Sequence, residues 1–276
     1  MLRIESVGAV HKIVVARSIM GRGIYHTAAY WIDGLLVDTG CAHTAGELVS
    51  ALEGLPVDQV VNTHCHEDHI GGNGPLQRAR GVTIRAHPMA LPILAEPRRQ
   101  YLQAYRRLFW GWPEPSHAVA VEDWVVTPRY RFQVLETPGH CPDHICLYEP
   151  QEGWLFSGDA YIGGQERAAR PDYDFTSLIK SLRMLASLRI DALFPGSGTV
   201  RLGDPRQELV RKVADLEALG DEARRLRTLG HSVSSIKRQL LGREPAILYL
   251  TLGHFRGDYL IRGLLNESLS AGGDCP

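Results

Sequence analysis

The segment His64-Cys65-His66-Glu67-Asp68-His69 gathers three imidazoles and the Asp68 carboxylate into six residues. Neutral imidazole and ionised carboxylate are the groups that bind a first-row divalent metal. His64 and His66 lie two apart and can grip one ion, with Cys65 turned away. Asp68 and His69 are adjacent, so their side chains diverge and can aim at a second ion. A divalent cation lowers the pKa of its bound water from about 15.7 toward ~7, which supplies hydroxide at neutral pH. Held between two cations, that hydroxide would face an ester, thioester, lactone or phosphoester centre. A serine route is not indicated. Gly196-Ser197-Gly198 lacks the Gly-x-Ser-x-Gly pattern of a nucleophile elbow.

Chemistry of this kind needs a rigid frame, and the flanking sequence supplies one. Val57-Asp58-Gln59-Val60-Val61-Asn62 reads as a buried strand leading into the histidines, and Gly71-Gly72 as a turn after them. The cluster therefore sits on a loop at a strand end. Upstream, 13–16, 27–32 and 34–37 read as an antiparallel meander, with Asp33-Gly34 as a hairpin turn. A helix is predicted over 45–52, with Thr44 as its N-cap. A short strand follows at 82–87. The second half shows strands near 119–126, 131–136, 144–149 and 153–157, a helix near 175–188 and a strand at 190–194. Periodicity alone gives mixed α and β.

Two segments look added to that frame. Near 92–113 the sequence carries four arginines, Arg98, Arg99, Arg106 and Arg107, among aromatics. Tyr101, Tyr105, Leu108 and Trp112 fall on one helical stripe. This insertion reads as a helix packed on the core, and its arginines could also form a lid over an anionic substrate. From 204 onward, Leu209, Val213, Leu216 and Leu219 follow helical spacing. Two further helices fit at about 233–241, with Ser232 as N-cap, and 250–266.

Composition narrows the function classes. Of 276 residues, 44% are apolar, enough for a large core. Lys and Arg number 30 against 31 Asp and Glu, so no electrostatic footprint for nucleic acid is expected. Met1-Leu2-Arg3-Ile4-Glu5 lacks a signal pattern. No apolar run approaches the roughly 20 residues of a membrane span. Cys41, Cys65, Cys141, Cys146 and Cys275 form no CxxC framework, and their odd number suits reduced thiols in a cytoplasm.

Thr63-His64-Cys65-His66-Glu67-Asp68-His69 resembles the metallo-β-lactamase superfamily, whose signature is His-x-His-x-Asp-His. Leu36-Val37-Asp38-Thr39-Gly40, Thr137-Pro138-Gly139-His140, Ser157-Gly158-Asp159 and Phe194-Pro195-Gly196-Ser197-Gly198 resemble its other elements, in the expected order. The last departs, because Ser197 stands where the family has histidine. The resemblance implies an α+β fold, an αββα sandwich over residues 1–203, with additional C-terminal helices over 204–276. It implies one ion at His64, His66 and His140, and a second at Asp68 and His69, with Asp159 shared. Asp68, or a metal-bound water, could also return a proton to the leaving group. Asp38 fits a carboxylate that orients a ligand histidine, or a turn cap. His144 fits support or packing, and His87 could face the site or take a surface role. Water, or His254 from the C-terminal helices, would replace the histidine missing at Ser197.

The leading expectation is a cytoplasmic, zinc-dependent hydrolase of the glyoxalase II or thioesterase type, acting on a small ester or thioester. Iron and manganese suit the same ligands. One or two ions, a free monomer or a homodimer all remain open. The second reading is a mononuclear iron enzyme like persulfide dioxygenase, using His64, His140 and Asp159. The third is a degenerate, non-catalytic binding module.

Overall fold

The computed structural model describes residues 1–19, 22–243 and 246–267. Cys275 lies outside them. The chain divides into two compact units. The first is Met1–Thr137, Pro142–Ile162 and Arg189–Pro205. The second combines Pro138–Cys141 and Gly163–Leu188 with the chain from Arg206 onward.

The first unit is built on two sheets. One runs in chain order through β1 (Leu2–Val7), β2 (Val10–Ile19), β3 (Arg22–Ile32), β4 (Leu35–Val37), β5 (Gln59–Val61), β6 (Thr83–Ala86) and β7 (Ala118–Ala120). Its first four strands are antiparallel, and β4 through β7 are parallel. The other sheet contains β8 (Trp124–Val126), β9 (Arg131–Glu136), β10 (Ile145–Glu149), β11 (Trp154–Gly158), β12 (Ala192–Pro195) and β13 (Arg201–Leu202). Within it, β11 and β12 are parallel. Asp33 and Gly34 both take positive φ, as the predicted hairpin turn requires.

Successive strand residues point to opposite faces, and both faces of the first sheet are buried. Ala28, Tyr30, Ile32, Leu35, Val37 and Val61 turn toward Phe132, Leu147, Phe156 and Phe194 of the second sheet. Ala29, Leu36, Val60, Ile84 and Ala86 turn the other way, toward Leu48, Leu76 and Leu94. Those three leucines come from α1 (Ala45–Ala51), α3 (Asn73–Arg80) and α4 (Leu91–Ala95). Between the sheets, Phe156 stacks on Phe194 at 4.8 Å, and the Tyr30 hydroxyl donates to the Pro195 carbonyl at 2.6 Å. Truncating such a ring typically costs about 3–5 kcal/mol.

Several sequence expectations are corrected. The strand expected at 119–126 is two strands in different sheets, because the chain crosses between layers at 121–123. The end of the histidine segment forms a helical turn, α2 (Glu67–Ile70), and the expected Gly71-Gly72 turn joins it to α3. Thr44 holds the N-cap position of α1 as expected, but its hydroxyl makes no capping bond and donates instead to the Cys41 carbonyl inside a short 3-10 turn. The insertion is not one helix. Pro97 opens a 3-10 turn, extended backbone at Gln100 and Gln103 interrupts the path, and only α5 (Ala104–Phe109) is helical beyond it. Tyr101 is accordingly exposed while Tyr105 is buried. β1 is an additional strand.

The second unit is helical: α6 (Phe175–Ala186), α7 (Pro205–Thr228), α8 (Val233–Leu240), α9 (Ile247–Leu250) and α10 (Gly257–Leu265). Asp174 caps α6 and Ser232 caps α8, each accepting a backbone N–H three residues on. Ala223, Leu226, Val233, Ile236 and Ile261 form its core. The helix expected over 250–266 is broken by left-handed Leu252 and Gly253. Among the described residues no helix is long and apolar enough to cross a membrane.

Candidate metal centre

β4 and β5 run parallel, as do β11 and β12, so their carboxyl ends lie together in each sheet. Asp38 follows β4, the histidine segment follows β5, Asp159 follows β11 and Gly196 follows β12. Ligand atoms of His64, His69 and Asp159 lie within 4.8 Å of one another, as do those of His64 and His66. Nε2 of His69 is 3.5 Å from Asp159 and 3.9 Å from Asp68. Gly196 keeps this space open, since a Cβ there would strike the Asp159 carboxylate and the His69 ring.

The ring orientations follow from hydrogen bonds at the rear. Asp38 sits at φ 60°, a region aspartate tolerates better than most residues. Its carboxylate accepts the Thr63 N–H and hydroxyl, both at 2.8 Å, and faces His69 Nδ1 at 2.7 Å. In its neutral form His69 therefore carries its proton on Nδ1, leaving Nε2 as the lone-pair donor. The Thr63 hydroxyl, having donated to Asp38, accepts from His64 Nδ1 at 3.0 Å. The same logic assigns His64 Nε2 as its ligand atom. His69 Nε2 is buried and has no hydrogen-bond partner among the described residues.

The local field favours a cation. Burial opposes protonation of His69, yet Asp38, Asp159 and Asp68 together raise its imidazole well above the ordinary value. Burial pushes the Asp68 carboxyl up to about 6, with Glu67 and Asp159 adding to the rise. A divalent cation is what this donor set fits. Burial, with Asp143 adding to it, raises the Cys65 thiol well above its usual range. Cys65 thus stays a thiol between the two histidines, and Asp143 accepts its backbone N–H at 2.8 Å.

His144 supports the frame. Its Nε2 accepts the Asp159 N–H at 3.0 Å, and its Nδ1 meets the Thr137 hydroxyl at 2.8 Å. Burial pushes this imidazole down to about 4, so it stays neutral and able to accept. Gly158, at φ 45°, permits the contact: a Cβ there would lie 2.7 Å from His144 Nε2.

His140 belongs to the second unit, in the turn Pro138–Cys141. Its Nδ1 lies 2.8 Å from the Tyr173 hydroxyl, and its carbonyl accepts from Arg170 at 3.2 Å. His254 is in the same unit, between α9 and α10, edge-on to Phe255. The Ser197 hydroxyl is buried without a hydrogen-bond partner among the described residues. His87 lies 3.7 Å from Glu136.

Of the four arginines expected at a lid, Arg106 is buried in an ion pair with Glu67. Arg98 stacks on Trp112, and Arg99 pairs with Glu96. Thr63, Asp143, Tyr173 and the Glu67–Arg106 pair are supports the sequence reading did not identify. Glu67, an acid inside the histidine segment, was the one available signal; nothing in the sequence marks Tyr173.

Two sheets that deliver histidines and carboxylates to their carboxyl ends define a metal-binding scaffold. The family model of the metallo-beta-lactamase superfamily matches residues 22–197, and the chain belongs to that family of metallo-hydrolases. An atrochrysone carboxyl ACP thioesterase of Aspergillus fumigatus is 27% identical, covering 78% of this chain and 66% of the relative. A hydroxyacylglutathione hydrolase of Methylobacillus flagellatus is 28% identical, covering 56% and 55%. The chain thus spans between half and two thirds of these relatives. A protein solved in a di-iron-bound form is 28% identical, with a TM-score of 0.55 over 69% of this chain and 96% of that one.

Proposed function

We propose that the protein is a metal-dependent hydrolase of small esters or thioesters, of the glyoxalase II or thioesterase type. The observation that carries the reading is the convergence of His64, His69 and Asp159, with the His69 tautomer set by Asp38. The two relatives named for thioester hydrolysis support the substrate class. By the family pattern, His64, His66 and His140 hold one ion, and Asp68 and His69 a second, with Asp159 shared. Zinc is the proposed metal.

When bound, such ions supply Lewis acidity and a water deprotonated near neutral pH. The chain's own residues do the rest. Asp38 and Thr63 fix the histidine tautomers, and His144 holds the backbone of Asp159. Asp68 exchanges a proton with the leaving group. Tyr173 orients His140 through its Nδ1. We also place the protein in the cytoplasm, where the buried thiols of Cys41, Cys65, Cys141 and Cys146 stay reduced.

The test is elemental analysis, followed by turnover of acyl-thioester, ester, lactone and phosphodiester substrates. The expected result is at least one zinc per chain and ester or thioester hydrolysis that a chelator abolishes and metal restores. Absence of both metal uptake and turnover after reconstitution would overturn the reading. The di-iron neighbour favours iron as the competing metal. Stoichiometric iron with oxygen uptake on glutathione persulfide would replace hydrolysis by the oxygenase reading.

A further inference from the structure

Glu67 is fully buried between His66 and Asp68, in the first turn of a four-residue helix. A carboxylate removed from water is strongly unfavourable unless its oxygens are paired. Arg106 pairs both: Nε donates to Oε1 at 2.6 Å and Nη2 to Oε2. The parallel fork fixes the carboxylate in direction as well as in charge. The helix needs an outside hold. A single turn is not self-supporting, and no side chain caps its N-terminus.

Arg106 belongs to the insertion, which is itself firmly seated. Tyr25 packs on Phe109 and Trp110 at 4.9 and 5.6 Å. Arg17 donates to the Leu108 carbonyl, and the His43 N–H donates to the Trp110 carbonyl at 3.3 Å. The insertion is therefore fixed to β2, β3 and the turn after β4, and Arg106 carries that fixed position to α2. Asp68 and His69 leave the same turn as Glu67. A rotation of Glu67 would move both.

We propose that Arg106 is a positioning residue of the metal centre, holding Glu67 so that Asp68 and His69 meet the second ion in register. The inference rests on the metal-site reading above. It makes the insertion part of the ligand frame, so displacing the insertion would release the second ion before the first.

The test is cobalt(II) titration against a chromophoric chelator, with the visible spectrum reporting ligand geometry. The proteins are wild type, Arg106→Lys, Arg106→Met and the double variant Glu67→Met/Arg106→Met. Arg106→Met leaves a lone buried carboxylate and can lose the fold for that reason alone. The double variant buries no lone charge. Expected is a second-ion affinity at least ten-fold weaker in the double variant, with an altered spectrum, an unchanged first ion and a native circular dichroism spectrum. Arg106→Lys, which keeps the charge without the fork, should fall between. A folded double variant that binds the second ion as wild type does overturns the inference while leaving the site reading intact. Wild type that takes up no ion overturns both.

Discussion

Nδ1 of His69 and Oδ2 of Asp38 lie 2.7 Å apart, and this contact decides which edge of the imidazole is left for a ligand. The same carboxylate holds Thr63, and through Thr63 it orients His64. One side chain therefore orients two histidines of the proposed metal site.

Replacing Asp38 by asparagine keeps an acceptor of the same shape but removes the charge. Loss of such a support typically costs ten- to a hundred-fold in metal affinity. Asp38→Asn should weaken zinc binding by about that factor while circular dichroism stays native. A variant that titrates like wild type would assign Asp38 to turn formation alone.

His64→Ala and His140→Ala should each abolish metal-dependent turnover and leave the fold in place. Each removes one of three proposed ligands to the first ion, leaving an incomplete shell. Full turnover with full metal content in either variant would show the ligand set to be wrong.

The second ion should be the weaker one, because Ser197 offers a neutral hydroxyl where the family pattern has imidazole. Ser197→His should tighten the second site, and His254→Ala should change little. Metal titration of the three proteins decides. Two equal, tight sites in wild type with one lost in His254→Ala would make His254 the missing ligand.

Cys146 gives a pH signature of its own. Burial pushes its thiol from 9 up to about 12. Below pH 9 both folded and unfolded chains hold the proton. Above it, the unfolded chain releases the proton first, so stability falls as pH rises toward 12. The slope from this group is about 1.4 kcal/mol per pH unit. Cys146→Ala should show a shallower loss of urea stability between pH 9 and 10.5 than wild type. Equal slopes would remove Cys146 as the cause.

The strand pattern was legible because local alternation and turn chemistry carry it. Asp33-Gly34 announces its hairpin, and Ser232 announces α8. The histidine segment could be picked out as a candidate metal site for the same reason, since its donors are contiguous. What could not be read was set by distance. Glu67 and Arg106 are 39 residues apart, and Cys65 and Asp143 are 78 apart. No local pattern connects such pairs. The arginines of the insertion read as a ligand-facing row because sequence shows charge without burial. Three short helical pieces replace one helix there because Pro97 and two extended residues interrupt it.

The supports of the histidine segment come from Asp38, Arg106 and Asp143, with sequence separations of 25, 39 and 78 residues. Contacts that close such long loops pay their entropy late and form slowly. The ligand segment should therefore be the last part of this unit to acquire its shape during refolding. Its cobalt colour should appear after the far-ultraviolet signal has recovered, and simultaneous appearance would refute that order. A chain still emerging from synthesis would then hold metal only weakly. Capture of the ion becomes a mark of completed folding, and the finished scaffold, more than the free segment, chooses what it binds.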